Sequence, residues 1–141
     1  MNKIKISIFL FSIILGLCFF YSRIIKNITS TSANYVNQIE VQSKNGNIDE
    51  SQKIYSELND YWEKKSKILN TLVHHDIIDK ISESISKLKV SVYNCELYDV
   101  SKVSEKIIML LDSVVKMDNL SLENLLWFFI FDDWVNFSVK E

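Results

Sequence analysis

Apolar residues run almost unbroken through the first 25 positions, then thin out and return at a regular spacing of three and four. From Ile6 to Ser22 there are 17 consecutive uncharged residues, most of them Ile, Leu and Phe. If Lys5 and Arg23 extend their charged ends outward, the apolar stretch covers residues 4–25, about 33 Å as a helix against a hydrocarbon core of about 30 Å. A membrane-spanning helix is predicted there. Beyond it, Ile54, Tyr55, Leu58, Tyr61, Trp62, Ile68, Leu69, Leu72 and Val73 form one helical stripe, and Ile77, Ile78, Ile81, Ile85, Leu88 and Val92 form another. On a wheel the second stripe is centred roughly 150° from the first. One straight helix would bury one stripe and expose the other, so a break near His74-His75-Asp76 is expected, although neither Gly nor Pro stands there.

A third stripe runs through Val100, Val103, Ile107, Leu110, Leu111 and Val114, after a reversal at Asn94-Cys95-Glu96. A short fourth helix is read from Asp118-Asn119-Leu120-Ser121, with Ser121 as its cap and Glu123 at the positive end of its dipole. Residues 27–47 are rich in Asn, Ser and Thr and end in Lys44-Asn45-Gly46-Asn47; they read as a partly helical stalk closing in a turn. Asn47 or Asp49 would cap the helix that follows. The expected architecture is all-α: an N-terminal transmembrane helix and a small antiparallel bundle of three to four helices. The expected divisions are an anchor at 1–26, a stalk at 27–47, the bundle at 48–126 and an aromatic C-terminal tail at 127–141. In that tail region, seven apolar residues from Leu125 to Phe131 are too few to cross a bilayer. Packing on the bundle is the expected fate of the run, with a lipid-interface contact through Trp127 and Trp134, or a surface for a partner, as the alternatives.

Composition narrows function by exclusion. With 141 residues, two glycines and no proline, the chain lacks the length of a Rossmann or TIM-barrel enzyme and the turn residues of an all-β fold. Residues 27–141 carry 12 basic against 18 acidic side chains, the opposite of a nucleic-acid binder, so no nucleic acid is expected as partner. Cys18 lies in the apolar stretch and Cys95 outside it, so no internal disulfide is expected. Leu17 before Cys18 does not suit a lipidation site, and small residues come too late for ready cleavage of the apolar segment. The reading is an uncleaved anchor in the cell membrane, its N-terminus cytoplasmic and its helical domain outside; a secreted protein released by cleavage is an alternative.

The chemistry-bearing groupings are sparse. His75 and Asp79 stand four apart beside His74 and Asp76, a spacing that suits an ion pair, a helix cap or a proton-sensitive site. A zinc site would need further ligands that no Cys-x-x-Cys or His-Glu-x-x-His motif supplies, so no metal and no cofactor is expected. Scattered carboxylates and serines outside any nucleophile turn give no basis for an enzyme. Trp62 precedes Lys64, Lys65 and Lys67, and reads either as a core tryptophan flanked by a solvated face or as a membrane-proximal contact.

Three stretches together resemble a known family: Tyr61 to Leu69 with its tryptophan and lysines, His75 to Ile81 with its histidine and acids, and Leu120 to Leu126 with Ser121 and Asn124 three apart. The chain looks like a small membrane-anchored bacterial family, found chiefly in clostridia and their relatives, that is classified as a domain of unknown function. The resemblance covers nearly the whole chain, up to about Leu126. It implies an anchor and a helical domain, and no activity. Trp62, His75, Asp76, Asp79, Ser121 and Asn124 are the candidate interaction or switch residues. The expected role is an interaction or accessory module for another membrane or envelope protein of unspecified identity; the alternative is a module that responds to pH or a small ligand.

Overall fold

Four helices account for the described chain: α1 (Asn2–Lys44), α2 (Ile48–Leu72), α3 (His75–Tyr93) and α4 (Leu97–Ser138). The computed structural model describes the backbone of residues 2–138, and the side chains of residues 5, 6, 8–119, 123, 124 and 127. No strand occurs among the described residues. Each helix packs against the next, and α4 closes the ring against α1, which makes an antiparallel four-helix bundle.

The connections are short, and two of them share one device. At the end of α1 the Asn47 backbone amide donates to the Gln42 carbonyl and the Gly46 amide to the Ser43 carbonyl, with Gly46 in the left-handed region at φ 77°. At the end of α3 the Glu96 amide donates to the Ser91 carbonyl and the Cys95 amide to the Val92 carbonyl. This is the same Schellman closure, but Cys95 takes the left-handed position at φ 57°, where a Cβ is disfavoured. The expected break between α2 and α3 is present: Val73 is extended (φ −128°, ψ 157°) and His74 follows at φ −58°, ψ 121°. Two non-helical residues therefore bring the out-of-phase stripes of α2 and α3 onto one core without Gly or Pro.

That core holds Leu58, Trp62 and Leu69 from α2, Ile78, Ile81, Ile85 and Leu88 from α3, and Val100, Ile107, Leu111 and Val114 from α4. Ile25, Ile28, Val36 and Ile39 of α1 belong to it as well, and this changes the expected layout. Residues 27–44 are not a stalk but the fourth wall of the bundle, continuous with the apolar helix before them. The reason lies in the buried seam of α1, which runs Ser22, Ile25, Thr29, Ser32, Val36, Ile39, Ser43 at steps of three and four. Its small polar members hide the stripe from a count of apolar positions alone.

Two other expectations change. No separate fourth helix starts at Ser121, because α4 runs unbroken from Leu97 to Ser138; residue 121 is interior to a helix, where a cap has no free N–H to accept from. The start of α2 falls at Asn47 as expected, but without a side-chain cap, since the Asn47 side-chain amide donates instead to Gln42 Oε1 at 2.8 Å.

Candidate functional site

Trp62 sits on the inward face of α2, 3% exposed, and its Nε1–H donates to Ser82 Oγ on α3 at 2.8 Å. Ser82 Oγ in turn donates to the Ile78 carbonyl at 2.9 Å. The indole therefore fills the core and ties α2 to α3, the role of a structural tryptophan whose one polar atom has found a partner. Lys64 and Lys67 beside it are exposed.

His74, His75, Asp76 and Asp79 are all exposed, around the α2–α3 turn. The two imidazoles stack on each other, centroids 5.2 Å apart with 17° between planes. The expected capping by His75 or Asp76 is not what occurs: His74 is the N-cap residue and makes no side-chain capping bond. Nor does His75 pair with Asp79. Asp76 pairs with Lys80, Nζ to Oδ2 2.7 Å, and the hydrogen bond and charge of that ammonium hold its carboxyl below the ordinary range. Among the described residues no group of three or more His, Cys, Asp or Glu stands close enough to hold a metal ion. The side chain of Ser121 lies outside the described residues; Asn124, one turn further along α4, is exposed.

The contacts that sequence reading misses lie between α1 and α4. Ser22 Oγ donates to Asp118 Oδ2 at 2.6 Å, and Ser101 Oγ donates to Glu40 Oε1 at 2.9 Å. Glu40 also takes Lys44 Nζ at 2.6 Å. The Lys44 bond draws the Glu40 carboxyl below its ordinary range, partial burial opposes this, and the Ser101 hydroxyl adds to the lowering. Between these two cross-links, Ser32 and Ser104 are fully buried and their hydroxyls have no partner among the described residues. Beside this seam an open furrow of about 360 Å³ is lined by Lys26, Thr29, Ala33, Ile108, Leu111 and Val115.

At opposite ends of the bundle the surface differs in kind. Around the α3–α4 turn, Val90, Tyr93, Leu97 and Tyr98 are exposed, Tyr98 at 78%. In the first half of α1, Ile8, Phe9, Leu10, Phe19 and Phe20 are each more than half exposed. α1 is long and apolar enough to cross a membrane, and only 11% of its apolar stretch is buried, unlike the covered core helix of a soluble bundle.

The family model for a domain of unknown function, DUF4363, matches residues 19–125. The chain belongs to the DUF4363 family. No curated protein and no solved structure matches it. The DUF4363 match takes in the second half of α1 along with α2, α3 and most of α4, so the family domain coincides with the four-helix bundle and includes the segment expected to be a stalk.

Proposed function

We propose that this DUF4363 protein is anchored in the cell membrane by the first half of α1, N-terminus in the cytoplasm, and holds its bundle outside as an accessory module for another membrane or envelope protein. One observation carries the reading: a single unbroken helix is buried among its neighbours from Ser22 onward and shows bulky apolar side chains to its surroundings before that point. Such a surface is stable in hydrocarbon and aggregation-prone in water. Lys3 and Lys5 precede the apolar segment, which suits a cytoplasmic start.

The apolar cluster around Tyr98 is the part of the bundle best suited to meet a protein partner, since it lies at the end away from the anchor. A photo-crosslinking residue at position 98, in cells expressing the full chain, is expected to capture one reproducible membrane or envelope protein. Recovery of the uncrosslinked chain alone would remove the accessory role, and release of the full chain from membranes by alkaline carbonate would remove the anchor. The alternative of a pH-responsive module is less supported, because Asp76 is engaged by Lys80 and no ion pair joins His75 to Asp79.

A further inference from the structure

The contact points between α1 and α4 set a common register for the two helices. Ser22 meets Asp118 and Glu40 meets Ser101, so a step of 18 residues along α1 matches a step of 17 along α4, in the opposite direction. The other pair of helices stops early. Ser43 meets Ser51, and Tyr35 meets Tyr61 with ring centroids 5.9 Å apart, so the end of α2 at Leu72 falls within about one turn of the height of Ser22. α3 begins three residues later, beside it. Beyond that height, among the described residues, only two helices continue: α1 through residues 2–21 and α4 through residues 119–138, each for 20 residues or about 30 Å, the thickness of a bilayer core.

The spacing of the seam continues along both helices. In α1, the buried positions Ser22, Ile25 and Thr29 are preceded at the same alternating steps by Cys18, Leu15 and Phe11, which are half-buried while their neighbours Ile14, Leu17 and Phe19 are exposed. In α4, the run Val100, Ser104, Ile107, Leu111, Val114, Asp118 continues at register positions 121, 125 and 128, occupied by Ser, Leu and Phe. By the same register Asp118 falls beside Arg23, the exposed Glu123 at the height of residues 17–18, and Asp132 and Asp133 at the height of residues 7–9, which leaves residues 124–131 as the uncharged stretch of α4 facing the apolar segment. Trp127, at the height of the middle of the apolar segment, is 69% exposed.

We infer that α4 enters the bilayer beside α1, so that the membrane part of the protein is an antiparallel two-helix hairpin with lipid acyl chains against Trp127. This rests on the membrane reading proposed above and replaces its lone span by a pair, in which the seven apolar residues 125–131, too few to cross a bilayer alone, lie beside the apolar length of α1. Small residues at the seam, Cys18, Ser22 and Ser121 by position, suit close helix approach in lipid, and a second helix gives the half-buried face of α1 a partner.

The test uses the full-length chain in phosphatidylcholine vesicles, with Trp134→Phe compared with Trp127→Phe/Trp134→Phe, so that the difference emission belongs to residue 127. Dibrominated phosphatidylcholine is expected to quench that emission several-fold more strongly than aqueous iodide does. Quenching by iodide and not by bromolipid, in protein that floats with the vesicles and resists carbonate, overturns the hairpin and leaves the anchor standing. Protein that does not associate with vesicles at all overturns both. Should the double variant lose its helical circular dichroism, an environment-sensitive dye on Asn124→Cys in a Cys18→Ser/Cys95→Ser background reads the same depth: protection from iodide supports the hairpin, and free access to iodide overturns it.

Discussion

Cys95 is the residue whose backbone is least suited to its side chain. Its position in the α3–α4 closure is the one Gly46 fills at the α1–α2 turn, so Cys95→Gly is expected to raise stability by about 0.5–1 kcal/mol in chemical denaturation, the usual penalty of a Cβ in the left-handed region less the entropy glycine adds to the unfolded chain. Ser104 presents the opposite case: a buried hydroxyl without a partner among the described residues is a desolvation cost, and Ser104→Ala removes it with almost no change of volume. A melting temperature that is equal or higher is expected, where loss of a satisfied hydroxyl would lower stability by about 1 kcal/mol. His75→Gln, at an exposed ring stacked on His74, is expected to change stability by less than about 0.5 kcal/mol. At this scale the sequence is informative about which residues are unusual and less so about what they touch. Trp62 reads as a core residue because it lies on an apolar stripe, yet its hydroxyl partner, Ser82, is 20 positions away and becomes visible only when α2 folds back on α3.

At the scale of the helices, spacing reveals the stripes of α2 and α3, the break between them and the places of both Schellman turns. The 150° offset requires the break for a simple reason, since two stripes on opposite sides of one rod cannot face one core. α1 and α4 read too short for a related reason. Their seams alternate apolar with Ser, Thr and Cys, and a stripe sought in apolar residues alone disappears wherever a small polar residue takes its turn. The same register supports a direct check of the pairing. With Ser121→Cys in a Cys95→Ser background, mild oxidation of membranes is expected to join Cys18 to the thiol introduced at position 121, seen as dithiothreitol-reversible protection of both thiols from a maleimide-polyethylene glycol after denaturation. Asn124→Cys in the same background, off the seam, should give much less, and equal protection for the two variants would speak against a fixed helix pair.

For the molecule as a whole, two cross-links hold α1 to α4 at a spacing of about 27 Å, one beside the apolar end and one near the far turns. The far one is acid-sensitive. Glu40 is stabilised in its charged form by Lys44 and Ser101, so its contribution to folding is complete above its ordinary value near 4.5 and is lost as pH falls through the lower value it holds in the folded protein. Glu40→Gln is therefore expected to cost at most about 1 kcal/mol at neutral pH, with the difference from wild type vanishing in acid titrations below that window. A difference that persisted unchanged in acid would assign the effect to packing.

The residue order alone determines that the chain is helical, that one segment is long and apolar enough to cross a membrane, and where three of its turns must fall, because these depend on neighbours within one or two turns of helix. Tertiary structure decides the rest. That residues 27–44 form a wall of the bundle and α4 lies against α1 from Ser22 to Glu40 follows from which helix lies opposite which, and a serine at a helix contact is recognised as buried only when the helix that covers it is in place.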